Sequence, residues 1–187
     1  MKRILASLFA GVALFGADLY VGEDTPLLDK IGGKQVAQLS VGAKLKQISA
    51  KGEWVQVEYA GYAPQDSTIA YGRLGVLEKD AEVQNEKSFK VIKKVKDDYD
   101  NEWTNVALKG FIKKSALRTD INQIYAAGEE LYQTRCGGCH ALHGHDEFGA
   151  NVWPSVVDSM AAQAALEPNE KAVLVRFLQS KAPTEKK

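Results

Sequence analysis

The stretch Gly128-Glu-Glu-Leu-Tyr132-Gln-Thr-Arg-Cys136-Gly-Gly-Cys139-His140 decides most of what this chain can be. Two thiols separated by two glycines can both reach one porphyrin and form thioethers, and the imidazole that follows can then coordinate its iron. Gly128, Tyr132 and Cys136 recur at intervals of four, so a helix would place them on one face. The pattern predicts one covalent haem c, with thioethers at Cys136 and Cys139 and with His140 as the proximal iron ligand.

Two other uses of a cysteine pair are alternatives. A thioredoxin-like redox motif belongs to a βαβ unit, whereas the segment before Cys136 has the spacing of a helix and no such unit surrounds it. A zinc site is a closer rival, because His140, His143 and His145 lie next to the two thiols. Zinc would leave the regularly spaced glycine and tyrosine without a role, which favours haem.

The end of the chain supplies a helical partner for this segment. Residues 172–178 have helical spacing and end in the pair Phe177-Leu178, which can pack against the bare backbone at Gly128. These features resemble the cytochrome c family, which has G-x-x-x-[FY]-x-x-x-C-x-x-C-H and an aromatic-Leu pair in its last helix. The resemblance covers residues 122–181 and implies an all-α cytochrome c domain, which we place at residues 119–187.

We expect the second axial ligand of the iron to lie in the segment 151–166. Trp153-Pro154 predicts a helix start, because proline is tolerated in the first helical turn. Small bacterial cytochromes with a W-x-x-x-x-x-x-M stretch look similar, and this resemblance implies Met160 as the distal iron ligand, with Trp153 and Tyr132 packed against the haem. A methionine that only fills the core, or a ligand taken from His143 or His145, are the alternatives.

The N-terminus has the layout of a secretory signal. Lys2 and Arg3 precede an apolar run at 4–15, and Gly16-Ala17 follow it. The run is short for a bilayer-spanning helix, so we predict a signal peptide at residues 1–17, cleaved after Ala17, with an uncleaved anchor as the alternative. In a bacterium this predicts a periplasmic protein.

Charge excludes one class of partner. The chain has 24 basic and 24 acidic side chains, so losing Lys2 and Arg3 with the signal leaves a formal charge of −2. This balance argues against nucleic acid as a partner.

Residues 18–118 have the alternating apolar pattern of half-buried strands, for example at 44–48, 54–59 and 89–95. Within them Glu53-Trp54-x-x-Val57-x-x-x-Gly61-Tyr62 recurs as Glu102-Trp103-x-x-Val106-x-x-x-Gly110-Phe111. The region resembles the bacterial SH3-like barrels. We therefore predict an N-terminal all-β region of two SH3-like units split near residues 71–79, ahead of the all-α domain. One barrel with a long insertion is the alternative, and Trp54 and Trp103 are predicted to pack in the core or at the rim.

The connection between the two parts is short. Asp120 can accept hydrogen bonds from the first amides of a helix that starts near Ile121. A linker of this length predicts that the two parts move as one rigid body.

The combination suggests a respiratory role. An exported chain with Leu131-Tyr-x-x-Arg135-Cys-x-x-Cys-His140 and Phe148-x-Ala150-Asn151-x-Trp153-Pro154 resembles the terminal monohaem part of the cytochrome subunits that serve periplasmic molybdopterin S- and N-oxide reductases. The pentahaem member of that group carries a tetrahaem membrane domain ahead of this part. Only one haem motif is present here, so another component must supply the electrons.

The resemblance implies an electron-transfer protein rather than an enzyme. Electrons would arrive from a membrane quinol-oxidising complex or another cytochrome and leave to a periplasmic molybdopterin oxide reductase of the trimethylamine N-oxide or dimethyl sulfoxide type. A haem sensor or haem enzyme with an open sixth position is one alternative. An envelope-binding module that contacts peptidoglycan and carries an accessory haem is the other.

Overall fold

The computed structural model describes residues 16–184. Within that range the chain forms three α-helices, α1 (Asn122–Leu131), α2 (Trp153–Met160) and α3 (Pro168–Lys181), and a π-helical turn, Tyr132–Cys136, that continues α1. Two short 3-10 helices lie at Glu86–Ser88 and Lys114–Ala116. The chain also forms ten strands: β1 (Asp18–Val21), β2 (Thr25–Leu28), β3 (Gln35–Leu39), β4 (Lys44–Lys51), β5 (Trp54–Pro64), β6 (Ile69–Arg73), β7 (Val76–Glu82), β8 (Lys90–Lys96), β9 (Glu102–Lys113) and β10 (Leu117–Arg118).

The predicted signal peptide at residues 1–17 lies almost entirely outside the described residues. Among residues 16–184, no helix is both long enough and apolar enough to cross a membrane.

All ten strands belong to one antiparallel sheet with the order β10-β1-β4-β5-β6-β7-β3-β2-β9-β8. Pairing of β9 with β5 closes β5, β6, β7, β3, β2 and β9 into a six-stranded barrel. The other strands extend the sheet on both sides: β4, β1 and β10 continue outward from β5, and β8 forms the outer edge beside β9.

The sequence repeat forms the two longest strands, β5 and β9, which pair with each other over their length. Val57 of the first copy lies opposite Gly110 of the second, and Gly61 lies opposite Val106. Each valine therefore stands across from the bare backbone of the other copy. The two copies of the repeat therefore form two paired strands of one barrel and not two barrels.

The repeated glycines also explain how the barrel closes. A side chain at Gly110 would come within 2.5 Å of the Leu28 carbonyl oxygen of β2, and one at Gly61 within 2.6 Å of the Tyr71 carbonyl oxygen of β6. Both positions need glycine because a neighbouring backbone approaches closely.

The predicted fold class, SH3-like barrels followed by an all-α cytochrome c domain, is wrong. A single sheet contains both copies of the repeat, and residues 71–79 lie in its β6–β7 hairpin. The C-terminal part contributes only three short helices of 10, 8 and 14 residues, which do not amount to a substantial all-α domain. The boundary between residues 118 and 119 stays a prediction; it falls between β10 and α1.

Local predictions of strands and helix starts are confirmed. The alternating segments at 44–48 and 54–59 lie in β4 and β5, and residues 90–95 of the third segment lie in β8. The third segment is not half-buried as predicted, because β8 forms the outer edge of the sheet and six of its seven residues are exposed. The Asp120 carboxylate accepts a hydrogen bond of 2.9 Å from the Asn122 amide at the start of α1, and Pro154 lies in the first turn of α2. Gly128 lets α1 approach α3, because a methyl group there would overlap Cβ of Phe177.

A buried ionic network joins α3 to the barrel. The guanidinium of Arg176 binds a Glu78 carboxylate oxygen at 3.1 Å and an Asp80 oxygen at 2.7 Å, and all three side chains are at most 8% exposed. Its Nε also donates to the Val41 carbonyl at 2.8 Å. Arg73 adds a hydrogen bond to the Gln179 carbonyl at 2.9 Å. These bonds attach α3 to the barrel. That the two parts move as one rigid body stays a prediction.

Candidate functional site

A cavity of about 490 Å³ lies between the π-helical turn, the loop after it, α2 and the end of α3. Its size falls within the range of about 300–1,000 Å³ that is usual for ligand pockets. Its lining includes all six predicted site residues: Tyr132, Cys136, Cys139, His140, Trp153 and Met160. Residues from three separate segments, brought together by the packing of the helices, therefore face one space.

Cys136 is the last residue of the π-helical turn, and Cys139 lies three residues beyond it. Both cysteines are free; Cys136 is half-buried and Cys139 is exposed. Burial raises the pKa of the Cys136 thiol. A side chain at Gly137 would come within 2.5 Å of the Gln133 carbonyl oxygen, so glycine is needed for the chain to turn between the thiols. The turn leaves both sulfur atoms accessible from the cavity.

The imidazole of His140 is held by one of its two ring nitrogens. Its Nδ1 lies 2.6 Å from the Ala141 carbonyl oxygen. A carbonyl oxygen can only accept, so Nδ1 carries the proton and donates. In the neutral ring Nε2 then has its lone pair available for a metal, the arrangement that usually orients a ligating histidine.

Tyr132 and Trp153 form one wall and also anchor the loop after the thiols. Their rings meet edge to face with centroids 6.1 Å apart, and both residues are buried. The Tyr132 hydroxyl donates to the His143 carbonyl at 2.8 Å, and the Trp153 indole donates to the His145 carbonyl at 3.2 Å. Burial raises the pKa of Tyr132, so the phenol remains a donor.

His143 and His145, the two alternative iron ligands in the loop, differ in position. His143 lines the cavity, and its Nδ1 lies 2.9 Å from a Glu147 carboxylate oxygen. His145 packs between Tyr132 and Phe177, with ring centroids 5.5 and 5.3 Å away. Of the two, only His143 is among the residues that line the cavity.

Met160 is the last residue of α2 and is 44% exposed. The helix ends there, and the chain continues in turns. Met160 therefore borders the cavity from a helix end, on a different segment from His140.

Two arginines near the cavity, Arg135 and Arg176, have structural roles that the sequence did not predict. Arg135 lines it and forms an ion pair with Glu170 at 3.0 Å. Glu170 also accepts from the Glu167 amide at 3.0 Å in the capping box of α3, and this bond is the main reason that its pKa is lowered. The spacing of Glu167 and Glu170 before an apolar run was a usable signal. Arg176 was also missed, although it lies on the same helical face as Val173 and Phe177.

The donor set fits a covalently attached haem. Two free thiols three positions apart, an imidazole with its Nε2 lone pair available and a thioether sulfur line one cavity whose remaining walls are mostly aliphatic and aromatic. In the described part of the chain, no group of three or more cysteine, histidine or acidic side chains has the arrangement of a metal site.

Comparison with known proteins agrees with this donor set. The chain is 35% identical over 86 residues to the cytochrome c-type protein TorY of Escherichia coli O157:H7, a match that covers 46% of this chain and 23% of the relative. It is 26% identical over 194 residues to the cytochrome c-type protein TorC of the same organism, covering 97% of this chain and 48% of the relative. The TorY protein of Haemophilus influenzae is 28% identical over 148 residues, covering 75% and 39%.

The chain thus spans less than half the length of each of these relatives. No family model matches the sequence, and no solved structure matches it. Along nearly its whole length the chain is similar to cytochrome c-type proteins.

Proposed function

We propose that this protein is a periplasmic monohaem c-type cytochrome that passes single electrons to a molybdopterin S- or N-oxide reductase. One observation carries the proposal: the two free thiols, His140 and Met160 line a single cavity. The similarity to proteins named TorC and TorY supports it. A covalently bound haem supplies a one-electron redox centre.

Each lining residue has a distinct task in this proposal. Cys136 and Cys139 hold the porphyrin through thioethers, and His140 coordinates the iron through Nε2 while its Nδ1–H stays bound to the Ala141 carbonyl. Met160 would be the second protein ligand of the iron, through its sulfur. Tyr132 and Trp153 exclude water from one wall. Two protein ligands would leave the iron no position for a substrate, and a thioether ligand raises the reduction potential relative to a second imidazole.

The charge of the surrounding segment suits an electrostatically guided partner. Residues 119–184 carry eight carboxylates and four cationic side chains. Asp146 and Glu147 are exposed in the loop that follows the thiols. Reduced protein should therefore meet a complementary, basic surface on the reductase, with a rate that falls as ionic strength rises.

The partnership is tested by disrupting the gene in the source bacterium. We expect loss of growth on trimethylamine N-oxide or dimethyl sulfoxide, with the reductase still present and active with an artificial donor. A matched strain that carries His140→Ala should behave like the disrupted strain. In vitro, stopped-flow oxidation of the reduced protein by the reductase and its oxide substrate should slow between about 50 and 200 mM salt.

Unimpaired oxide reduction in the disrupted strain, without a second cytochrome to compensate, would remove the reductase partnership and leave an electron carrier for another acceptor. Rapid binding of carbon monoxide by the ferrous protein, with no ligand displaced, would instead favour a sensor or enzyme with an open sixth position.

A further inference from the structure

Strand β8 presents a row of lysines at the outer edge of the sheet. Four of its seven residues are lysine, and all four are exposed: Lys90, Lys93, Lys94 and Lys96. Lys87, in the turn just before the strand, is also exposed. Across the described residues, Lys96 pairs with Asp100 at 3.3 Å, and no carboxylate lies within ion-pair distance of the other four. The strand therefore carries positive charge that the rest of the described chain does not neutralise.

The same strand exposes apolar side chains among its lysines. Val91 is 64% exposed and Ile92 is 52% exposed, which places both among the most exposed large apolar residues of the described chain. Neither residue is needed to fill the barrel core, which is built from other strands. Adjacent basic and apolar side chains on one exposed edge have the composition of segments that lie in the headgroup region of a membrane.

The geometry of the edge opposes the usual occupant of a free strand, which is another strand. Pairing of β8 with β9 shifts register between Val91 and Lys93, so that Ile92 is an extra residue without a partner on β9. A bulge of this kind and a row of lysines both discourage regular strand addition. The observations therefore favour a partner that binds β8 through charge and apolar contacts and not through backbone hydrogen bonds between strands.

From these three features we infer that β8 is a docking edge for an anionic lipid surface. The lysine ammonium groups contact lipid phosphates, and Val91 and Ile92 enter the interfacial region between them. The acidic residues Asp97, Asp98 and Asp100 follow at the hairpin tip, so the contact runs along the strand and not through the tip. The barrel would lie against the membrane on this edge.

This inference is independent of the haem and of the reductase partnership. Its test is co-sedimentation of the full chain with vesicles of phosphatidylglycerol and phosphatidylcholine (about 3:7), compared with vesicles of phosphatidylcholine alone. Binding to the neutral vesicles measures any contribution that does not depend on charge, such as insertion of another segment of the chain into the bilayer. A lysine near an anionic surface contributes about fivefold to the partition coefficient, so Lys93→Glu/Lys94→Glu should weaken binding to anionic vesicles by at least about 25-fold.

The matched control is Lys30→Glu/Lys34→Glu, which changes the same charge at two exposed lysines in the β2–β3 hairpin. It should change the partition coefficient by less than about fivefold. Val91→Ser/Ile92→Ser should also weaken binding to anionic vesicles while leaving its salt dependence in place. Circular dichroism of each variant should match the parent, since every substituted residue is exposed.

Three outcomes would overturn the inference. Equal binding to neutral and anionic vesicles would remove the role of charge, and equal losses in the test and control variants would remove the role of β8. Retention on purified peptidoglycan, or on an acidic protein surface, in place of vesicles and with the same Lys93/Lys94 dependence, would assign the edge to a different anion.

Discussion

Met160 and His143 both border the cavity that His140 lines, so each offers a second iron ligand. We predict that Met160 binds the iron and that the oxidised protein shows the weak sulfur-to-iron charge-transfer absorption in the far red. Met160→Ala should abolish that band and lower the reduction potential, because a thioether stabilises the reduced iron. Visible spectroscopy and a redox titration measure both effects.

His143→Ala is the matched control for this assignment, because the side chain lies in the same cavity. It should leave the far-red band in place. A band that survives Met160→Ala would refute the assignment, and so would a spectrum without the band that changes only on loss of His143.

Gly128 is a second position where one residue decides the packing. A methyl group there would overlap Cβ of Phe177 and lie 3.0 Å from the Val173 carbonyl oxygen. Alanine is the better helix former by about 1 kcal/mol, yet we predict that Gly128→Ala lowers the free energy of unfolding by about 1–3 kcal/mol, because α1 and α3 must move apart.

Urea denaturation measures this change. Gly149→Ala is the control, since a methyl group there would meet nothing closer than the Pro183 carbonyl oxygen at 3.8 Å. Equal or greater stability of Gly128→Ala would mean that the two helices are not in the close contact described.

At the scale of elements, the contact between α3 and β7 depends on Arg176. Removing its guanidinium leaves Asp80 buried without a cation, whereas Glu78 keeps its ion pair with Arg73 at 2.9 Å. We predict that Arg176→Met lowers the free energy of unfolding by about 3–5 kcal/mol. On the same helix, Lys171 pairs with Asp158 at the surface, and Lys171→Met should cost no more than about 1 kcal/mol. Similar losses in the two variants would argue that the buried network does not hold the helix.

The same network predicts a pH dependence. Burial raises the pKa of Asp80 above its ordinary value of 3.8, and Arg176 opposes that rise. In Arg176→Met the opposing charge is gone, so the pKa of Asp80 rises further. A carboxyl group with a higher pKa in the folded chain binds its proton more tightly when folded, so the folded state gains stability as the pH falls through that pKa.

We therefore expect the loss in free energy of unfolding caused by Arg176→Met to be largest near pH 8 and to shrink near pH 5. Denaturation of parent and variant at both pH values measures it. A deficit that stays constant over this range would mean that Asp80 does not titrate in the variant.

At the scale of the whole molecule, the barrel and the cavity have separate cores. The main core cluster lies entirely between Leu19 and Ala116, whereas the cluster around the cavity combines the helices with Val76 of β7. We predict that Cys136→Ala yields little haem-loaded protein but keeps the sheet signal in far-ultraviolet circular dichroism, because the barrel core does not use the cofactor.

A fragment of residues 18–118 should likewise show a sheet-type spectrum and unfold cooperatively. The midpoint of its denaturation should lie below that of the full chain, because the contacts of α3 with β7 are absent. Exposure of Glu78 and Asp80 to solvent offsets part of this loss, since the two carboxylates are then hydrated and do not need Arg176. A random-coil spectrum would mean that the helices are required for the barrel to form.

The local structure of this protein was predictable because it depends on neighbouring residues. Alternating apolar residues specified strands at β4, β5 and β8, and capping chemistry at Asp120 and Pro154 specified helix starts. The spacing of the two cysteines and His140 likewise pointed to a haem site, since three donors within five residues must lie close together. Its use as a haem site stays a prediction.

Only the tertiary structure decided which strands pair. The repeat predicted two barrels, but alternation specifies a strand and not its neighbour. In the folded barrel β5 and β9 pair with each other, and Val57 and Val106 each lie opposite a glycine of the other copy. Burial of Arg176 required Glu78 and Asp80, which lie nearly a hundred residues away. The convergence of Met160 with His140 likewise arises from packing between segments, because no local pattern encodes the distance between residues on different helices and loops.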